Sequence, residues 1–198
     1  MAEDKGFRCR DAAARWSMCR FRRHPVSGNV DTASPRAKLM PMSDAPTLWT
    51  IGYEKASLDS VIAALRDAGV RTLLDVRELP LSRRAGFSKS PLRAGLAEAG
   101  IGYVHLKGLG TPAEGRMAGR QHDHERFWAI VERRMETPEA EADLQRAAAI
   151  ARDERACLLC VEADPHVCHR LRVAQLLTER FGFAVEHLHP VLSDGGHR

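Results

Sequence analysis

Cys160-Val-Glu-Ala-Asp-Pro-His-Val-Cys168-His169-Arg170 brings two thiols, a carboxylate, an imidazole and a guanidinium into one short stretch. The apolar run from Ala156 to Val161 before it reads as a buried strand, and Asp164 and Pro165 mark a turn. Leu171, Ala174, Leu177 and Phe181 then share one helical face, with Gly182 as the stop. Cys168, His169 and Arg170 are therefore expected at a helix N-terminus, where unpaired N–H groups favour anions and lower the pKa of a thiol. Position alone predicts an exposed, reactive Cys168 and an inert Cys157. Cys160 and Cys168 are candidate nucleophiles, His169 a candidate acid/base group and Glu162 a candidate carboxylate; the alternative for both thiols is simple packing.

A second group has the same form. Thr72-Leu-Leu-Asp75-Val76-Arg77 is a short apolar strand ending in an acid and a base, followed by the polar loop Glu78-Leu-Pro80-Leu-Ser82-Arg83-Arg84. An Asp and an Arg at the end of a parallel strand face the crevice in which open α/β sheets bind ligands. Asp75 joins the catalytic candidates. Gly52, Tyr53, Arg77, Ser82, Arg83 and Arg170 are the expected ligand-binding residues, with the arginines holding an anionic group and Asp75 and Glu162 keeping them in register. All are expected on one edge of the sheet.

The elements that must position these residues alternate. Leu48 to Tyr53 reads as a first strand; Leu58, Val61, Ile62 and Leu65 follow as a helical stripe that Ser57 caps and Gly69 ends. After the Thr72–Arg77 strand, Ser90-Pro91 is the predicted start of a helix that Gly100 closes before a strand over Gly102–Leu106. Phe127, Ile130 and Val131, then Leu144, Ala148 and Ala151, make two more helical stripes, and Ala184 to His189 is the last strand. Strand and helix in alternation imply an α/β fold, a single three-layer domain with a mostly parallel sheet flanked by helices.

Trp49-Thr-Ile-Gly-Tyr53, Leu74-Asp-Val-Arg77 with Pro80 and Ser82-Arg-Arg84, Gly102-Tyr-Val-His-Leu106, and Cys160 through Arg170 together resemble the signature blocks of the DUF 488 family, over about Leu48 to His189. The resemblance implies the three-layer α/β domain and no particular reaction. The chain departs from the family at Tyr53, where a His or a small polar residue is usual.

Other patterns narrow the chemistry. Cys157-Leu-Leu-Cys160 matches C-x-x-C by letters, but residues three apart in a strand point to opposite faces. Cys160, Cys168, His169 and either His166 or His105 have acceptable zinc chemistry, yet their spacing matches no compact zinc module, so no metal and no cofactor is expected. The spacing of Cys160, Cys168 and Arg170 excludes a Cys-x5-Arg phosphatase loop, and no Gly-Lys-Ser/Thr makes a P-loop. Sulfur transfer or thiol redox chemistry is not excluded. From Lys107 to His124 the chain is rich in Gly and Arg and carries His122 and His124, which reads as a lid over the crevice.

The net charge of +4 is uneven: residues 1–39 hold nine Lys/Arg against four Asp/Glu, leaving 21 basic and 22 acidic residues for the rest. Basicity belongs to an expected disordered arm over residues 1–45, either a genuine basic arm or residues added by an upstream start, with the domain over 46–192 and a flexible tail over 193–198. The arm lacks the apolar core of a signal peptide, and no run approaches a membrane span, so the expected location is cytoplasmic with no membrane partner. Five Cys, two of them in the arm, argue against a disulfide framework. The expected partner is an anionic small molecule or a nucleic acid. Two function classes stand: an enzyme on a nucleotide or nucleic-acid end, and a non-catalytic nucleic-acid-associated module.

Overall fold

The computed structural model describes residues 45–192; the arm expected over 1–45, apart from Ala45, and the tail over 193–198 lie outside the described residues. Five strands, β1 (Thr47–Gly52), β2 (Thr72–Asp75), β3 (Gly102–His105), β4 (Ala156–Cys160) and β5 (Ala184–Leu188), form one sheet in the order β3-β2-β4-β1-β5. Every pairing is parallel. Six helices flank it: α1 (Leu58–Asp67), α2 (Lys89–Glu98), α3 (Ala113–Arg120), α4 (His124–Met135), α5 (Pro138–Asp153) and α6 (Arg170–Phe181).

Alternation along the strands divides the core between the two faces of the sheet. Cys157 and Leu159 of β4 pack with Ile51 and Leu73 against Val61 and Leu65 of α1 and Leu92 and Leu96 of α2. Leu158 and Cys160 point the other way, to Leu144 and Ala148 of α5 and Val173 and Leu177 of α6. The three inner strands β1, β2 and β4 are short and buried nearly throughout, as parallel strands covered by helices on both faces must be, whereas the edge strands β3 and β5 are partly exposed. Among the described residues, no helix is long and apolar enough to cross a membrane.

The helix signals hold with two corrections. Ser57 caps α1 by accepting the Ser60 N–H at 3.1 Å, and Gly182 ends α6 at a φ of +77°. The second helix starts two residues earlier than Ser90-Pro91 suggests, at Lys89 behind Ser88, because the Ser88 hydroxyl ties back to the loop, accepting the Ser82 N–H at 3.1 Å. Pro91 is tolerated within the first turn, where its missing N–H has no intrahelical partner to lose. The Lys107–His124 segment is not an irregular loop. A 3-10 turn over Lys107–Leu109 leads into α3, which packs Ala118 on Phe127, Ile130 and Val131 of α4. Gly110 permits that path, because a Cβ there would stand 2.1 Å from the Glu78 nitrogen.

At the end of β1 the backbone meets the Cys160–Arg170 loop without room for a side chain. A Cβ on Gly52 would lie 1.8 Å from the Glu162 carbonyl oxygen, backbone against backbone. Gly52→Ala should therefore fall at the upper end of the roughly 1–3 kcal/mol cost of overpacking, read as a lower urea midpoint with an unchanged slope.

Candidate functional site

The two cores locate the site. The helix after β1 lies on one face of the sheet and the helix after β4 on the other, although β1 and β4 are neighbours. Where consecutive connections part in this way, a crevice opens beyond the carboxyl ends of the strands. A cavity of about 640 Å³ occupies that position. Cys160, Glu162, His169 and Arg77 form its floor, and Arg116, Arg120, His122 and His124, on or just beyond α3, form one wall. Leu79, Leu81, Val161 and Val167 are exposed apolar side chains on its rim.

Cys160 is the last residue of β4, while Cys168 and His169 lead into α6 after a 3-10 turn over Pro165–Val167. The intervening loop folds back so that the Cys160 and Cys168 sulfurs and a His169 ring nitrogen all lie within 4.8 Å of one another, all buried. Cys160 Sγ stands 3.7 Å from His169 Nδ1 and 3.4 Å from Glu162 Oε2. On the far side of the ring, His169 Nε2 is 2.9 Å from the Val76 carbonyl oxygen. A carbonyl only accepts, so Nε2 carries a hydrogen, and Nδ1 faces the sulfurs.

The electrostatics separate the two thiols. The hydrogen bond between Cys160 and Cys168, together with burial, pushes the Cys160 thiol well up. Burial also raises Cys168, but the hydrogen bonds from Cys160 and His169 and the positive charges of His169 and Arg170 outweigh it and leave the thiol well below its ordinary value. Burial disfavours the His169 cation, and the Cys168 thiolate more than restores it, so the imidazole is raised. Burial first, then the negative charge of Cys168, pushes Glu162 up to about 7. The sulfur with the lowered pKa therefore sits behind the one that lines the cavity. That is a poor arrangement for a lone cysteine nucleophile, which needs low pKa and access on the same sulfur.

Two arginines hold this floor in shape. Asp75 and Arg77 are 0% and 4% exposed. Arg77 donates from Nε to Asp75 Oδ1 at 2.8 Å, from a terminal nitrogen to Oδ2 at 2.6 Å, and from the other to the Tyr53 hydroxyl and the Phe87 carbonyl, each at 2.9 Å. Tyr103 donates its hydroxyl to Asp75 at 2.7 Å. Arg170 is fully buried and donates to the Glu162 carbonyl and, at 2.8 Å, to the Ala163 carbonyl. It does not pair with the Glu162 carboxylate, because its planar fork is taken up by main-chain oxygens that a turning loop leaves without partners.

Of the residues singled out in the sequence, Cys160, Glu162, His169 and Arg77 line the cavity. Asp75, Tyr53, Cys168 and Arg170 stand immediately behind its floor, and Gly52 packs against the Glu162 backbone. Cys168 is 1% exposed, contrary to the expectation of an accessible thiol, because the 3-10 turn places it under the loop rather than on the helix surface. Ser82 and Arg83 lie outside the lining; the Ser82 hydroxyl accepts the Arg84 N–H at 3.1 Å. Thr111 was not singled out and lines the cavity with a buried hydroxyl that has no hydrogen-bond partner among the described residues. Its only sequence signal is membership of the Gly- and Arg-rich segment.

The family whose description reads "Domain of unknown function DUF488" matches residues 57–177. The chain belongs to this family. The DUF488 match covers Asp75, Arg77, Gly102–His105 and the whole Cys160–Arg170 stretch, and begins after the Trp49–Tyr53 block. No curated protein and no solved structure matches this DUF488 chain.

Proposed function

We propose that this DUF488 protein is an enzyme that acts on a phosphate- or carboxylate-bearing substrate held in the crevice beyond β1 and β4, a nucleotide or a nucleic-acid end being the substrate class. One observation carries the reading: a thiol, an imidazole and a carboxyl group, with a second thiol directly behind them, converge on the floor of a cavity whose α3 wall is cationic. Arg116 is paired with Glu78, whereas Arg120, His122 and His124 are exposed on that wall. The unpartnered Thr111 hydroxyl adds a hydrogen-bonding group within the lining. The Arg77 guanidinium is engaged by Asp75, Tyr53 and Phe87 and Arg170 lies behind the floor, so the anion contacts pass to α3 and its C-terminal turn.

Thermal-shift and calorimetric titration with nucleoside monophosphates and with short oligonucleotides tests this reading. Binding is expected, and Arg120→Ala should weaken it by about five- to tenfold, the worth of one partly solvated charge contact of about 1 kcal/mol. A single anion in the crevice gives a shallow salt dependence. A steep one would favour the non-catalytic nucleic-acid module, since it reports many released counterions. Absence of binding by any phosphate-bearing ligand, or an Arg120→Ala variant that binds like the wild type, would sink the proposal.

A further inference from the structure

We infer that Cys160, Cys168 and His169 bind a zinc ion whose fourth coordination position opens to the crevice beside Glu162. The ligand set stands on its own distances; it rests on the proposed function only in giving the crevice a use for that open position.

The geometry of the donors comes first. Two donors on one tetrahedral zinc, at about 2.3 Å for sulfur and about 2.0 Å for nitrogen, stand roughly 3.5–3.8 Å apart. Cys160 Sγ and His169 Nδ1 are 3.7 Å apart, and the Cys168 sulfur closes the triangle within 4.8 Å. Small rotations of side chains complete the site.

The orientation of His169 is the second observation. Metal-bound imidazoles donate their other ring N–H to a carboxylate, a carbonyl or a water, which fixes the ring and its tautomer. The 2.9 Å contact from His169 Nε2 to the Val76 carbonyl does this and leaves Nδ1 as the free donor atom. The supports are also rigid, since Cys160 ends a central strand, Cys168 and His169 precede α6, and Arg170 clamps the carbonyls of the loop between them.

The third observation is the direction of the opening. Cys160 and His169 line the cavity and Cys168 does not, so a metal held by the three has its free side towards the crevice. Glu162 Oε2 approaches Cys160 Sγ at 3.4 Å but falls outside the three-donor cluster, which places the carboxylate next to the fourth position. Three protein ligands and an open position, occupied by water or a substrate oxygen, is the form of a catalytic zinc site. Sulfur and nitrogen donors select zinc over magnesium or calcium. Binding releases the thiol protons to solvent. Cys157 takes no part, because it lies in the core on the opposite face of the sheet.

The test uses the full chain stripped of metal and titrated with zinc and with cobalt(II). One metal per chain is expected, and cobalt should give thiolate-to-metal charge-transfer bands with the intense visible bands of a tetrahedral site. Cys168→Ser and His169→Ala should each weaken zinc binding by more than about 100-fold in competition with a chelating dye, since loss of a ligand exceeds the 10–100-fold effect of losing its outer partner. Cys157→Ala and Glu162→Gln should keep full stoichiometry and the cobalt spectrum. Should a ligand variant fail to fold, the wild-type cobalt spectrum still decides. A wild-type protein that binds less than half an equivalent, a spectrum without thiolate bands, or a Cys157→Ala variant that loses metal as Cys168→Ser does would overturn the inference. Nucleotide binding that depends on Arg120 while zinc does not bind would refute the metal site alone; zinc bound with no response to any phosphate-bearing ligand would refute the anion reading alone.

Discussion

Replacing Asp75 with alanine should destabilise the protein by about 3–5 kcal/mol, because it leaves a buried guanidinium without its counter-charge. Asp75 is fully buried and accepts from the Arg77 backbone N–H, from the Arg77 guanidinium through both carboxylate oxygens, and from the Tyr103 hydroxyl. Truncation removes all of these at once. Asp75→Asn keeps the shape and one acceptor oxygen while losing the charge, so its loss should be intermediate. The double variant Asp75→Ala/Arg77→Met removes the orphaned charge and should lose clearly less than the two single variants summed. Urea unfolding of the wild type, Asp75→Ala, Asp75→Asn, Arg77→Met and the double variant makes the comparison. An Asp75→Ala loss under about 1 kcal/mol would mean that the pair is solvated after all. Asp75 also acts on the site at a distance. It tethers the segment whose Val76 carbonyl orients His169.

The second large effect is expected at Arg170. A buried, charged donor to a carbonyl contributes about 1.5–3 kcal/mol, and Arg170 makes two such bonds, to Glu162 and Ala163. Arg170→Ala should cost about 3–5 kcal/mol, with two carbonyls left unpaired and a cavity at the start of α6. The consequence is local as well as global. Residues 160–169 would lose the clamp that folds them back, so their amide protons should exchange faster than those of β1 or β2. Arg170→Lys should recover less than half of the loss, since an ammonium lacks the planar fork that reaches two carbonyls together. Full recovery by lysine would show that charge, not geometry, is what the loop requires.

Much of the architecture was legible in the chain because its signals are local. Ser57, Gly69 and Gly182 set helix ends by conformational preferences that act within one turn, and the apolar periods of Val61, Leu65, Leu144 and Ala148 mark the faces that the helices bury. The two-residue period of a strand was enough to send Cys157 and Cys160 to opposite cores. Strand–helix alternation implied a parallel sheet, and a parallel sheet puts Asp75 and Cys160 on one edge whatever the strand order. What only the tertiary structure decided are relations between distant segments. The order β3-β2-β4-β1-β5 sets β4 between β2 and β1, which brings the Val76 carbonyl to His169 across 93 positions of chain. The same folding buries Cys168, ties the Arg77 and Arg170 guanidiniums to Asp75 and to main-chain oxygens, and sets Arg116 and Arg120 of α3 along one wall of the crevice. A side chain's partners are set by packing against segments that no local preference specifies. The sequence therefore determined which groups share an edge, and packing decided which of them face the crevice.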